Sequence, residues 1–412
     1  MMKRKIMAVL VILVHAYACT NTEKIPVDVA FKLESLTRPE GRGDNWCITW
    51  AADDSQITSM DDGNWLQDER KSYHNNLYRI RGGKDDFSRD AIPGYPKFSE
   101  EGEGWFGYGV CAVDGTLYSA VSRTPRERWG IPFKGFKLLK SEDNGQSWYR
   151  INKAGEARKV DPWDEDAKEA DSAEDMFFLE EYGDTVNGRF VHPFTFCSFA
   201  QQGKNHSAST DGYIYIYGPG LRSHQLLMAR VKSNDIDSRS NWEFFAGWNG
   251  DEAQWTGEFE KAKPAFEFPE KNDAGEYFGW YSWLPSVVWN EGLGLYIMVN
   301  GGTYAGTGYA PNKEDYFKSP MHSKSGSLGF WYAKTPYGPW TQFYYNDSWT
   351  ADDPNNLTYQ PKLSPKWISK DGTHMVLIWS DAMRNEEGKM HEMNYRWNQM
   401  DIEIKLAGEH EN

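Results

Sequence analysis

Short β-forming runs, a turn unit that recurs along the chain and an excess of aromatic residues predict an all-β fold, a β-propeller of five to seven blades in a single domain. The 412 residues are 15% aromatic, with 19 Trp and 23 Tyr. Such side chains bury large area yet keep a polar handle, which suits interlocking blades and sugar-stacking surfaces alike.

In chain order, the first element is an export signal. Lys3, Arg4 and Lys5 are a basic n-region, Ile6 to Val14 an apolar h-region, and Ala16-Tyr17-Ala18 a small-x-small cleavage site. The apolar run is too short for a spanning helix. Cys19 follows at once, as at a bacterial lipoprotein junction where the Cys is acylated, although Ala16 stands where Leu is usual. We read residues 1–18 as signal peptide, 19–27 as a tether with Cys19 as its lipidation site, 28–406 as the propeller and 407–412 as a tail. The expected location is outside the cytoplasm, either secreted or on the cell surface through a lipid anchor in the outer membrane. A monomer is expected.

The strands come next. Trp46 to Trp50, Gly115 to Val121, Tyr213 to Tyr217, Ser286 to Trp289, Leu295 to Val299 and Met375 to Trp379 are short β-forming runs. Turn signals punctuate them: Asp53-Asp54-Ser55, Asp61-Asp62-Gly63, Asp114-Gly115, Asp211-Gly212, Asn290-Glu291-Gly292 and Asp371-Gly372. Ser141 to Trp148 fits the pattern S-x-D-x-G-x-x-W, a hairpin in which Asp caps backbone N–H groups, Gly takes positive φ and Trp packs beneath. Helical signals are scarce. The polar stretch Asp164 to Glu181 is a helix or an acidic loop.

Net charge is −15, which excludes nucleic acid as a partner class and requires any basic cleft to be local. Beyond Cys19 only Cys47, Cys111 and Cys197 remain, too few for a disulfide scaffold, so buried thiols are expected. The sequence assigns no certain cofactor. A structural zinc or calcium ion is conceivable around Cys197, His192 and His206, although their spacing fits no standard zinc pattern.

The segment from Arg189 to Pro219 is the most unusual. Phe194-Thr195-Phe196 precedes Gly203-Lys204-Asn205-His206, Asp211 and Tyr213 to Tyr217. With Pro285 to Asn290, Ala333 to Thr341 and Leu363 to Ser369, it resembles the propeller-type ulvan lyases of polysaccharide lyase families 24 and 25. The resemblance implies β-elimination on a uronic-acid polysaccharide outside the cell. A basic group would neutralise the sugar carboxylate, and His or Tyr would take the C5 proton. By position it implies His206, Tyr281 and His192 as catalytic, with Lys204, Asn205, Arg222, Trp280 and Trp283 binding substrate. The Arg of the family pattern is missing, since no Arg lies between Tyr281 and Arg384.

Two other readings stand beside it. A propeller glycoside hydrolase would use paired carboxylates, with Asp53, Asp54, Asp61, Asp62, Glu258 and Asp381 as candidates. A non-catalytic surface lipoprotein would bind glycan through its aromatic rim. A lone histidine is more often structural than catalytic, and most surface carboxylates are simply solvated.

Overall fold

The computed structural model describes residues 24–408, apart from 67–71, 97, 100–104, 124–133, 161–175, 180–192, 221–223, 276–277, 280, 305–325, 385–389 and 392–393. The described residues form a five-bladed β-propeller. Strand β1 (Pro26–Thr37) belongs to the last blade. The first blade holds β2 (Arg42–Asp44), β3 (Ile48–Trp50), β4 (Gln56–Asn64), β5 (Tyr73–Arg81), β6 (Ser88–Ala91) and β7 (Phe98–Ser99). The second runs outward through β8 (Trp105–Val113), β9 (Thr116–Arg123), β10 (Lys134–Ser141), β11 (Trp148–Ile151) and β12 (Ala157–Val160). The third comprises β13 (Ser198–Phe199), β14 (Tyr213–Pro219), β15 (Gln225–Lys232), β16 (Glu243–Asn249), β17 (Glu252–Thr256) and β18 (Phe266–Glu267).

A short pair, β19 (Phe278–Gly279) with β22 (Thr303–Tyr304), flanks the fourth blade, which is β20 (Ser286–Asn290), β21 (Leu295–Asn300), β23 (Leu328–Ala333) and β24 (Thr341–Asn346). The fifth has β25 (Asn356–Leu363), β26 (His374–Arg384), β27 (Met390–His391) and β28 (Asn398–Leu406), with β1 as its outer strand. Pairing of Pro26 with Leu406 through Thr37 with Gln399 closes the ring.

Each interface between blades has its own apolar cluster, because a blade buries its faces only against neighbours. The closing interface is the most aromatic. Trp397 of the fifth blade stacks on Trp65 at 5.0 Å and meets Trp46 edge-on at 5.4 Å, and all three are fully buried.

Hydrogen bonds between neighbouring blades make a complete circuit: Ala112 N to Thr49 Oγ1 (3.0 Å), Gln201 Nε2 to Val110 O (3.0 Å), Ser198 Oγ to Pro285 O (2.6 Å), Leu363 N to Ser286 Oγ (3.0 Å) and Ser364 Oγ to Gln56 Oε1 (2.7 Å). The innermost strands run the same way around the axis, as the parallel bridge of Gln201 with Val288 shows. The channel therefore has a strand-start end and a strand-exit end.

The repeated turn signals mark one of these ends. Asp53-Asp54, Asp114-Gly115, Asp211-Gly212, Glu291-Gly292 and Asp371-Gly372 each join an innermost strand to the next strand of its blade, at the exit end. The Ser141 to Trp148 hairpin forms as the pattern requires. Asp143 Oδ1 accepts from Ser141 Oγ at 2.9 Å and Ser147 N at 2.8 Å, Gly145 has φ 91°, and Trp148 is fully buried. Asp61-Asp62-Gly63 is not a turn. It lies inside β4, and a Cβ on Gly63 would stand 2.0 Å from Arg42 O of β2. Cys47, Cys111 and Cys197 are buried free thiols. Cys19 and most of Asp164 to Glu181 fall outside the described residues.

Candidate functional site

The strand-start end of the channel gathers ionisable groups. Asp44 ends β2, and the β2–β4 register sets Asp61 directly beside it. Asp62 follows on β4, and its Oδ1 lies 2.6 Å from His74 Nδ1 at the start of β5. From the fifth blade the Tyr359 hydroxyl donates to Asp44 Oδ2 at 2.5 Å. Tyr395 also hydrogen-bonds this carboxyl, and the Arg42 guanidinium packs on the Tyr395 ring at 5.2 Å. Asn45 Nδ2 donates to Asp61 Oδ2 at 3.0 Å. Asp44 and Asp61 are 5% and 3% exposed, whereas Asp62 and His74 are only half-buried and open the cluster to solvent.

Burial dominates the electrostatics. It disfavours the carboxylate form, and the neighbouring Asp62 charge adds to it, so Asp44 is pushed up to about 8 despite its tyrosine donors. Burial, then the charges of Asp62 and Asp44, raises Asp61 well above the ordinary carboxyl range. One oxygen of each, Asp44 Oδ1 and Asp61 Oδ1, is buried without a hydrogen-bond partner, as expected of carboxyls that stay protonated. Burial and the same three acids push the Tyr108 phenol up. Lys362, buried deeper in the channel, is lowered to about 8 by burial. Asp61, Asp62 and His74 offer donor atoms within 4.8 Å of one another, a mixed oxygen and nitrogen set that could hold a divalent cation. Of the three residues named for a zinc or calcium ion, His192 lies outside the described residues; the Cys197 thiol is fully buried and donates to Phe194 O at 2.9 Å.

The residues expected from the resemblance do not converge. His206 lies past the exit end of β13, where its Nε2 is 3.1 Å from Tyr213 O at the first residue of β14. Burial lowers its pKa, against the bond to Tyr213 O. Tyr281 lies before the start of β20, its ring stacked on Phe268 at 4.7 Å and its carbonyl accepting from Asn300 Nδ2 at 2.5 Å. The inter-blade bonds give the levels. Leu284 N donates to Phe196 O near the start end, and Trp289 N donates to Gln201 O near the exit end. Tyr281 precedes the first level and His206 follows the second, so the channel separates them.

Lys204 is beside Asp54 (3.3 Å), also at the exit end, and Asn205 Oδ1 accepts from Gly115 N at 2.8 Å in a structural turn. Trp283 is buried with its face stacked on Phe196 at 3.7 Å, closed to a sugar. His192, Arg222 and Trp280 lie outside the described residues.

Of the carboxylates considered for hydrolysis, only Asp61 and Asp62 belong to the cluster. Asp53 pairs with Arg79 at 2.6 Å, and Asp54 with Lys366 at 2.9 Å, both at the exit end. Glu258 pairs with Lys261 on the surface. Asp381 is buried in the fifth blade, accepting from Thr358 Oγ1 at 2.6 Å and Trp379 Nε1 at 3.1 Å, and burial raises it to about 6. Sequence reasoning missed Asp44, His74, Tyr108, Tyr359 and Tyr395. The one signal for Asp44 was its place just ahead of an innermost strand.

No protein-family model and no curated protein matches the sequence. Solved structures similar to this chain include the catalytic domain of the GH62 α-L-arabinofuranosidase of Coprinopsis cinerea, at 10% identity over 93% of this chain and 99% of that one, TM-score 0.46. Another is the endo-arabinase of Bacteroides thetaiotaomicron VPI-5482, at 10% identity over 94% and 99%, TM-score 0.42. A third is an α-L-arabinofuranosidase of Podospora anserina, at 9% identity over 92% and 97%, TM-score 0.42. These are hydrolases by name, not lyases. No family model matches the chain, so the resemblance to ulvan lyases stands for the propeller fold alone, and the elimination reading is withdrawn. The separation of His206 from Tyr281 agrees with that correction. At this level of identity, what the chain shares with these structures is a propeller architecture.

Proposed function

We propose that the protein hydrolyses glycosidic bonds at the strand-start end of its channel. The observation that carries this reading is the carboxyl cluster of Asp44, Asp61 and Asp62, in which burial raises the pKa of two members beside a more open third. Carboxyls with unlike environments divide acid and base roles between them. Asp44, protonated and oriented by Tyr359, gives its proton to the departing glycosidic oxygen. Asp62, nearest to solvent, takes a proton from the water whose oxygen attacks the anomeric carbon. Asp61 lies between them and keeps the two charges from being present together. Read with the export signal and Cys19, the reaction belongs outside the cytoplasm, on polysaccharide at the cell surface.

The test is a panel of arabinan, xylan, galactan and uronate polymers, scored for new reducing ends and for absorbance near 235 nm. Reducing ends without absorbance, lost by about 10²–10⁴-fold in Asp44→Asn and Asp62→Asn, support the reading. Absorbance growth, or full activity in both variants, refutes it.

A further inference from the structure

The exit end of the channel carries a second concavity that the carboxyl cluster does not use. It is a cavity of about 470 Å³ lined by Trp50, Lys204, Trp289, Glu291, Lys366 and Lys370, among others. The size suits a ligand of one or two sugar rings. Four blades contribute to it. Trp50 ends β3, Lys204 follows β13, Trp289 is in β20, and Lys366 and Lys370 follow β25.

Both tryptophans are half-buried and fixed at one edge. Trp50 Nε1 donates to Asp54 Oδ1 at 3.0 Å, and the Trp289 ring packs on Tyr296 at 5.0 Å. A large aromatic held at its edge and open on part of its face offers apolar area to the C–H face of a pyranose. The lysines are also pre-placed. Lys366 Nζ donates to Asp54 O at 2.6 Å and Asp54 Oδ2 at 2.9 Å, and Lys204 Nζ is 3.3 Å from Asp54 Oδ1. Counting Lys24, which donates to Gly292 O at 2.7 Å, and Asp371, which accepts from Ser369 Oγ at 2.5 Å, four ammonium groups face the carboxylates of Asp54, Glu291 and Asp371. The local charge is positive in a chain whose net charge is −15. Lys370 is exposed. Four ammonium groups beside two ring faces match a sugar that carries its own negative charge.

We propose that this exit-end cavity is a second glycan site that binds a carboxylated sugar residue without cleaving it. It is separate from the hydrolytic reading, because its residues and those of the carboxyl cluster lie at opposite ends of the channel. The site would hold an acidic polysaccharide against one face while the other face meets a different stretch of chain.

The experiment is calorimetric titration of the full chain with tetragalacturonate and with neutral galactotetraose, at low and at high salt. Tetragalacturonate is expected to bind at least fivefold more tightly than the neutral oligosaccharide, and to weaken with salt as charge pairs at a surface do. Trp50→Ala and Lys370→Glu are each expected to weaken it at least fivefold, and Asp62→Asn to leave it unchanged. Lys370→Glu alters an exposed side chain, so it remains informative if Trp50→Ala fails to fold. Absence of binding, equal binding of the neutral sugar, or binding lost in Asp62→Asn but kept in Lys370→Glu would overturn the proposal. Hydrolysis measured on the same variants reports on the other end of the channel independently.

Discussion

Tyr359 and Asp44 stand 315 positions apart in the chain and 2.5 Å apart in the fold, a phenol from the last blade donating to a carboxyl of the first. That bond sits at the seam where the ring closes and at the centre of the carboxyl cluster. It stabilises the ionised form of Asp44 and so lowers its pKa against the larger upward push of burial.

Removing the bond should therefore move the pH profile in a defined direction. In Tyr359→Phe the Asp44 carboxyl keeps its proton to higher pH, so the alkaline limb of the hydrolysis profile shifts upward. Activity at the optimum should fall by no more than about tenfold, since one such bond is worth roughly 1–2 kcal/mol. A downward shift of that limb would show that Asp44 is not the acid.

Stability should depend on pH through the same cluster. The folded-state pKa of Asp61 lies above its unfolded value, so the stability it contributes is complete below the unfolded carboxyl range, near pH ~4. That contribution is lost as pH rises through the folded value. Asp44 behaves alike, its loss complete above about 8. Asp61→Asn removes one of the two losses and keeps an acceptor for Asn45. Its melting temperature should exceed that of the native protein at pH 8, with the gap narrowing toward pH 4. A lower melting temperature at pH 8 would contradict the assignment.

His206→Gln separates the two ends of the channel. The lost imidazole contact to Tyr213 O should cost about 1 kcal/mol of stability, read from a denaturant midpoint, while hydrolysis stays within about twofold. Loss of hydrolysis in a folded His206→Gln variant would move the reactive centre to the exit end.

The closing interface can be tested by truncation. Trp397→Ala removes a fully buried ring held between Trp46 and Trp65 and should cost about 3–5 kcal/mol in equilibrium unfolding. A loss under 1 kcal/mol would mean that the seam relaxes around the gap.

How much of this was legible in the sequence follows from distance along the chain. The exit-end turns and the Ser141 to Trp148 hairpin take their shape from local hydrogen bonds, such as those of Asp143 with Ser141 and Ser147, so turn chemistry exposes them. Asp61-Asp62-Gly63 misled the same reasoning. Its glycine answers a close approach of β2, a contact between strands that no local pattern reports. His206 drew attention through the density of polar residues around it, which is the chemistry of a tight turn. Asp44 followed an unremarkable Arg-Gly pair, and its partners Tyr359 and Tyr395 lie in the last blade. Neither residue carries a motif, and only closure of the ring brings them to Asp44.

Splicing the first strand to the last has a temporal consequence. Synthesis delivers β1 long before β28, so the clasp between Pro26 and Leu406 has no second half until all five blades have emerged. Asp44 waits through 315 positions for Tyr359. Until then the early blades have an unmet flank, and contacts of such long sequence separation form slowly. The chain can acquire its acid cluster only as its final act of assembly, so a nascent fragment holding all three aspartates is still chemically incomplete.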